Sequence, residues 1–167
     1  MKVVGIAGSL RAKSNTLQYV DTTLKVIEGQ GIETELISLR GKNIKPCNGC
    51  YDCVDKGYCT IKGDDFNPII QKMKEAEGLI LGSPVYLSSV VPQMMALLAR
   101  ATFIAYWNDK FFTGKVGGPA TAWPFPSCCS GFSSTGSRSR GPPTGMWAWP
   151  VPAVPVMLRK MRRAWPP

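Results

Sequence analysis

Apolar residues in the N-terminal part of the chain follow two spacings, one typical of buried strands and one typical of amphipathic helices. Residues 2–7 form a short apolar run that suits a strand buried on both faces. From Leu17 to Ile27, apolar residues recur at intervals of three and four, as on one face of a helix. Residues 32–39 then alternate charged and apolar side chains, as strands do. This order predicts a parallel βαβ unit with a right-handed crossover.

The alternation resumes after a cysteine-rich segment. Apolar stripes and runs in this second part indicate two more helices and two more strands. The expected elements are a helix after Asp64-Asp65, a strand at residues 78–81, a long helix over about residues 91–106 and a fourth strand from Lys115 to Ala122. Together they predict an α/β fold, a three-layer, doubly wound parallel sheet.

Residues 123–167 have a different character. They contain nine of the 14 prolines and four of the five tryptophans, but no Asp or Glu. Proline cannot supply the amide that a helix or a central strand needs. We therefore expect a domain over residues 1–122 and an irregular tail, which leaves the sheet incomplete at the C-terminus. A shifted reading frame is our hypothesis for this tail, and a gene sequence in which no frame restores a fifth strand and helix would contradict it.

The charge distribution disfavours a nucleic-acid partner. The formal net charge is +9, but residues 123–167 contribute six basic and no acidic side chains to it. Residues 1–122 carry 14 basic and 11 acidic side chains, so the domain itself is close to balanced. The excess positive charge therefore lies in the tail and does not indicate a basic binding face on the domain.

Other features of the composition exclude further classes of protein. The chain has no histidine, which excludes Ser-His-Asp and Cys-His catalysis and any zinc site that needs imidazole. The sequence contains no run of 18 or more apolar residues, so no membrane span is predicted. The apolar part of the N-terminus is too short for a signal peptide. We expect a cytoplasmic protein, in which clustered cysteines more often bind metals or react in redox chemistry than form disulfides.

The turn after the first strand combines small polar side chains with the start of a helix. It matches neither the nucleotide-binding G-x-x-x-x-G-K-[ST] loop nor the dinucleotide signature G-x-G-x-x-G. Backbone amides and the helix dipole make such a turn attractive to a phosphate. The residues that can donate hydrogen bonds or charge are Ser9, Arg11, Ser14, Asn15 and Thr16. An ordinary capped turn is equally compatible with these residues.

A second loop, with the sequence Ser-Pro-Val-Tyr-Leu-Ser-Ser over residues 83–89, follows the third predicted strand. In a sheet of order 2-1-3-4-5 the strand order reverses between strands 1 and 3, and a ligand crevice opens there. The two loops should therefore flank one crevice. Tyr86 and Leu87 can pack on a planar ring, although a simple surface loop would have the same composition.

Four cysteines, Cys47, Cys50, Cys53 and Cys59, lie within 13 residues at the spacing C-x2-C-x2-C-x5-C. Iron–sulfur clusters are commonly held by four thiolates in one compact loop. Structural zinc, a redox-active C-x2-C pair and a loop of free thiols are the alternatives. The spacing alone leaves these open. Cys128 and Cys129 lie in the tail and receive no role.

Taken together, the three motifs resemble the NAD(P)H-dependent FMN reductase superfamily and, within it, the iron–sulfur flavoproteins. The matching segments are Gly8-Ser9-Leu10-Arg11 with Ser14-Asn15-Thr16, Cys47–Cys59 followed by Asp64-Asp65, and Gly82-Ser83-Pro84-Val85-Tyr86. The resemblance covers residues 1 to about 122. Two departures stand out: Met95 and Ala99-Arg100 where the family often has lysine and Asp-Arg, and no third flavin loop after Ala122.

The resemblance implies a flavodoxin-like FMN-binding domain with a cysteine-rich insert over residues 42–63. In such a protein Ser9, Arg11, Ser14, Asn15 and Thr16 would bind the FMN phosphate, Pro84, Val85, Tyr86, Leu87 and Ser88 would line the rest of the flavin, and the four cysteines would hold a four-iron four-sulfur cluster. No catalytic acid or base is implied.

The implied function is an FMN-dependent oxidoreductase that passes electrons from NAD(P)H to a quinone, a flavin, a cluster or a protein. A homodimer or homotetramer that binds neither nucleic acid nor membrane is expected. The alternatives are a non-enzymatic electron-transfer protein and an inactive frameshifted product.

Overall fold

The structure, a computed structural model, describes residues 1–86, 89–108 and 110–119. Strands and helices alternate along most of this part of the chain. In order, they are β1 (Lys2–Ala7), α1 (Asn15–Glu28), β2 (Glu33–Ser38), α2 (Asp52–Lys56), α3 (Phe66–Glu75), β3 (Gly78–Gly82), β4 (Val85–Tyr86), β5 (Ser89–Val90), α4 (Pro92–Trp107) and β6 (Val116–Pro119).

Four parallel strands form the central sheet, in the order β2-β1-β3-β6. The strand order reverses between β1 and β3, which confirms the predicted doubly wound arrangement. β1 lies between β2 and β3, and its residues from Val3 to Ala7 are buried, as the continuous apolar run predicted. The expected fourth strand is confirmed as β6, as far as Pro119.

Helices cover both faces of the sheet and give the three expected layers. On one face, the apolar stripe of α1 packs on Val3, Ala7 and Ile80. On the other, α3 and α4 form a larger core with Val4, Ile6 and Leu79. Because side chains of a strand alternate between the faces, β1 supplies residues to both cores.

Close contact between α1 and β1 depends on Gly5. A Cβ atom at this position would lie 2.6 Å from Leu24 Cδ1 and 2.7 Å from Val20 Cγ1. A side chain there would displace the side chains of Val20 and Leu24, so glycine allows α1 to pack closely on the strand.

Three short elements were not predicted. A short antiparallel hairpin, β4–β5, forms where the sequence indicated a loop, and α2 forms inside the cysteine segment. The predicted tail and the end of the domain at residue 122 lie outside the described residues. Among the helices that the structure describes, none combines the length and apolar character needed to cross a membrane.

Candidate functional site

The carboxyl ends of β1 and β3 meet at the point where the strand order reverses. The amide of Gly8 donates a hydrogen bond of 2.7 Å to the carbonyl oxygen of Gly82. The turn after β1 and the loop after β3 therefore begin side by side, as the sequence predicted. Ligands of open parallel sheets bind in the crevice at this place.

The turn after β1 leads directly into the N-terminus of α1. Ser14 is the N-cap, and its hydroxyl oxygen accepts a hydrogen bond of 3.1 Å from the amide of Leu17. The first turn of α1 contains no acidic residue, so no carboxylate neutralises the positive end of the helix dipole. An anion would be favoured at this end.

The five residues proposed for the phosphate differ in exposure. Ser9 and Ser14 are buried, Thr16 is half-buried, and Arg11 and Asn15 are exposed. Ser9 already has one internal partner, since its hydroxyl accepts a hydrogen bond of 3.4 Å from the amide of Arg11. The turn thus offers buried hydroxyl groups close to the backbone and the positive charge of the exposed Arg11 side chain at its edge.

The loop after β3 is fixed by Ser83. This buried hydroxyl donates to the carbonyl oxygen of Pro84 at 2.9 Å and accepts from the amide of Val91 at 3.2 Å. The hairpin that it anchors pairs Val85 with Val90 and leaves the ring of Tyr86 exposed. Leu87 and Ser88, which were also predicted to line the flavin, lie outside the described residues.

Two observations test whether a flavin fits between the loops. A Cβ atom on Gly8 would lie 3.1–3.3 Å from Met94, Gly82 and Ser83, so a side chain at this position would crowd the junction of the two loops. Gln93, on the first turn of α4, has a buried Oε1 atom that accepts no hydrogen bond within the described part of the chain. Backbone and hydroxyl donors, an uncompensated helix N-terminus and a buried acceptor suit the phosphate and the polar edge of FMN.

The cysteine segment leaves the sheet through a narrow neck. Asn43 and Asp65 form two hydrogen bonds of 2.8 Å, one from each backbone amide. Closer to the cysteines, the amide of Lys45 donates to Asp64 at 3.4 Å and its ammonium group donates to the carbonyl oxygen of Lys62 at 2.9 Å. These hydrogen-bonded pairs form the neck. We call residues 46–60, which the neck closes off, the cysteine loop.

Cys53 and Cys59 are buried and held by side chains from outside the loop. The amide group of Asn67, in α3, bonds both backbone groups of Cys59, at 3.2 and 2.8 Å. Asn108, at the end of α4, donates to the carbonyl oxygen of Cys53 at 2.9 Å. The backbone of both cysteines is therefore anchored by the fold.

Cys47 and Cys50 are exposed, and the sulfur atom of each contacts another residue of the loop. Cys50 Sγ lies 3.8 Å from the hydroxyl of Thr60, and Cys47 Sγ accepts from the amide of Gly49 at 3.5 Å. Burial raises the pKa of the Cys53 thiol, and the charges of Cys59, Cys50 and Cys47 raise this pKa further.

The chemistry of the donor set fits an iron–sulfur cluster, whose ordinary ligands are thiolates. Four thiols form the set, and the chain has no histidine. Within the described residues, no group of three Cys, Asp or Glu side chains is arranged to hold a metal ion.

The sequence interpretation missed the residues that support the cysteines. These residues lie outside the loop, in or at the end of helices that the sequence predicted from their apolar stripes alone: Asn67, Arg100 and Asn108. Only Arg100 gave a signal: it stands between Leu97 and Ile104 on the buried face of α4, where a charged residue is unusual.

Comparisons with known proteins agree with these features. The family model described as NADPH-dependent FMN reductase matches residues 1–127. An iron–sulfur flavoprotein of Methanocaldococcus jannaschii is 50% identical over 101 residues, which are 60% of this chain and 52% of that protein. One from Methanosarcina thermophila is 34% identical over 117 residues, or 70% of this chain and 60% of that protein. The chain thus spans little more than half the length of these relatives.

Solved structures show the same fold. RosB, with a bound intermediate, superposes with a TM-score of 0.67 at 20% identity, covering 83% of this chain and 61% of that one. An archaeal flavodoxin gives a TM-score of 0.52 at 16% identity, covering 98% of this chain and 93% of that one. The predicted flavodoxin-like fold and the predicted resemblance are both confirmed.

Proposed function

Since the chain belongs to the NADPH-dependent FMN reductase family, we propose that it is an FMN-dependent oxidoreductase that takes electrons from NAD(P)H and passes them to an acceptor. The observation that carries the proposal is the junction of Gly8 and Gly82, beside the N-terminus of α1. It combines the topological crevice of a parallel sheet with an anion-binding helix end. Bound FMN would supply the redox chemistry by accepting two electrons and releasing them singly or in pairs.

The residues of the first turn would hold the phosphate of FMN. Ser9, Ser14 and Thr16 would donate hydroxyl hydrogen bonds, Asn15 its amide, and Arg11 a charge-assisted hydrogen bond. Ser14 would keep its bond to the amide of Leu17, because its oxygen accepts that bond and its proton remains free to donate.

The loop after β3 would orient the isoalloxazine ring and the ribityl chain. Pro84, Val85 and Tyr86 belong to the segment that Ser83 fixes, and Leu87 and Ser88 continue it in the sequence. The exposed ring of Tyr86 offers an aromatic face against which a planar ring can stack.

Cys47, Cys50, Cys53 and Cys59 would hold a four-iron four-sulfur cluster. The relatives named iron–sulfur flavoproteins support this assignment, as do the four free thiols of one loop. A bound cluster would supply one-electron transfer. The role of this chain is to keep two thiols buried and two near the surface, within reach of an acceptor.

Anaerobic purification followed by absorption spectroscopy and by FMN, iron and sulfide analysis tests both cofactors. We expect one FMN per chain and iron and sulfide in equal amounts. Zinc without sulfide would contradict the proposed iron–sulfur cluster. Absence of flavin after incubation with FMN would contradict the proposal that the protein is an FMN-dependent enzyme. Oxidation of NADH and NADPH by the loaded protein, with a quinone or free flavin as acceptor, measures the activity.

The exposure of Cys47 and Cys50 favours a second candidate, a carrier that exchanges single electrons with another protein and turns over no substrate. This candidate predicts that the loaded protein is reduced by dithionite but not by NADH or NADPH. Steady-state oxidation of either nucleotide would exclude it.

A further inference from the structure

Arg100 lies on the buried face of α4 with only 2% of its surface exposed. Its guanidinium group stacks on the ring of Phe66, 3.9 Å from the ring centroid. Arginine stays protonated in folded proteins, so this side chain is a permanent positive charge inside the protein.

The guanidinium group of Arg100 connects both ends of the cysteine loop. Nη1 donates to the carbonyl oxygen of Lys45 at 2.9 Å and to the carboxylate of Asp64. Nη2 donates to the sulfur of Cys59 at 3.0 Å. Lys45 lies directly before the cysteine loop, and Cys59 is the last of its four cysteines. The side chain of Arg100 therefore contacts the chain at both ends of the loop.

Stability alone does not account for a charge at this position. The side chains of Arg100 and Asp64 are each about 1% exposed, and the Nε atom of Arg100 has no hydrogen-bond partner among the described residues. Apolar residues of similar volume often replace a buried ion pair without loss of stability. An apolar residue could not, however, donate a hydrogen bond to the sulfur of Cys59.

We propose that Arg100 is a positioning residue for the cluster, which fixes the sulfur of Cys59 and raises the reduction potential. The inference rests on the cluster proposed above. The electron would come from the flavin after its reduction by NAD(P)H; its arrival adds one negative charge beside the guanidinium group and requires no proton. A positive charge and an N–H···S hydrogen bond both stabilise the reduced form more than the oxidised form.

Redox titration followed by electron paramagnetic resonance, on full-length protein loaded with FMN and the cluster, tests the proposal. We expect Arg100→Met to lower the ratio of reduced to oxidised cluster about tenfold at a fixed solution potential, equivalent to about 59 mV. Arg100→Lys, which keeps the charge but loses the forked donor, should give a smaller shift in the same direction.

Asp64→Asn is the matched control. It breaks the same ion pair and the same neck, but keeps the guanidinium group and its bond to Cys59, and it removes a negative charge. We expect its potential to rise. Shifts of the same sign in Arg100→Met and Asp64→Asn, or an unchanged potential in Arg100→Met, would overturn the role of Arg100.

Iron and sulfide analysis of each variant separates this inference from the proposed function. Should the unaltered protein bind no iron or sulfide, the cluster and the role of Arg100 fail together. A normal cluster in the unaltered protein, with an unmoved potential in both Arg100 variants, contradicts the role of Arg100 alone. If Arg100→Met binds no cluster, the other two variants test the role of Arg100. A lower potential in Arg100→Lys and a higher potential in Asp64→Asn support it, and shifts of the same sign contradict it.

Discussion

Main-chain atoms of neighbouring strands hold together the two loops of the candidate flavin site, whereas side chains from helices outside the loop hold the cysteine loop. At the candidate flavin site the amide of Gly8 reaches Gly82 directly, because adjacent parallel strands end there. The cysteine loop is contacted by Asn67, eight residues after Cys59, and by Arg100 and Asn108, on α4 and at its end. The first site follows from topology, and the second from a small number of specific side-chain contacts.

The largest expected effect is the independent loss of each cofactor. In Gly8→Val the new side chain would collide with Gly82, Ser83 and Met94, so we expect at least about tenfold weaker FMN binding with iron and sulfide content unchanged. In Cys50→Ser, at an exposed position, we expect loss of iron and sulfide with FMN binding retained. Fluorescence titration with FMN and metal analysis measure the two effects. Loss of both cofactors in both variants would show that the regions depend on one another.

A smaller effect concerns the anchoring of the cysteine loop. Asn67→Ala removes both hydrogen bonds to the backbone of Cys59, and we expect about 1–3 kcal/mol lower free energy of unfolding and lower iron content. Asn48→Ala is the control, since Asn48 is exposed and its amide oxygen accepts only a local bond of 3.4 Å from Cys50; we expect a change within about 0.5 kcal/mol. Urea unfolding of the metal-free proteins measures both. Equal destabilisation by Asn67→Ala and Asn48→Ala would mean that the hydrogen bonds of Asn67 do not hold the loop.

The smallest effect lies far from both cofactor regions, at the edge strand β2. Hydrogen bonds from Lys2 and then Lys72 lower the pKa of Glu35, so this carboxylate stabilises the folded protein above the pKa that it has in the unfolded chain. That stabilisation disappears as the pH falls through the lowered pKa. We therefore expect Glu35→Gln to lower the melting temperature slightly at neutral pH and not at all in acid.

Thermal melts at several pH values check this prediction, with Glu28→Gln as an exposed control. A difference between Glu35→Gln and the unaltered protein that grows on acidification would contradict it.

The sheet and the positions of the two loops at the candidate flavin site were predictable because they depend on local sequence. The apolar run of β1, the small residues after it and the Ser-Pro-Val-Tyr loop each lie within a few neighbours in the chain, and the parallel topology then brings them together. The hairpin β4–β5 escaped prediction since each of its strands is only two residues long. Such short strands have no periodicity to detect.

The support of the cysteines was not predictable, because two of the three supporting residues lie far from the loop in the chain. Arg100 is 41 residues from Cys59, and Asn108 is 55 residues from Cys53. Asn67 is only eight residues from Cys59, but both asparagines have ordinary local explanations, Asn67 in the first turn of a helix and Asn108 at the end of one. The cysteine spacing indicated a candidate site and could not predict which residues anchor it.

The neck at Asn43 and Asp65 has a consequence for protein design. Its two ends lie a hydrogen bond apart, so a replacement loop between β2 and α3 would have to begin and end at the same spacing. It would also have to fill the buried positions of Cys53 and Cys59, which belong to the core. The reverse transfer is harder: the four cysteines, moved to another flavodoxin-like domain, would need Asn67, Arg100 and Asn108 to be installed in the receiving helices as well.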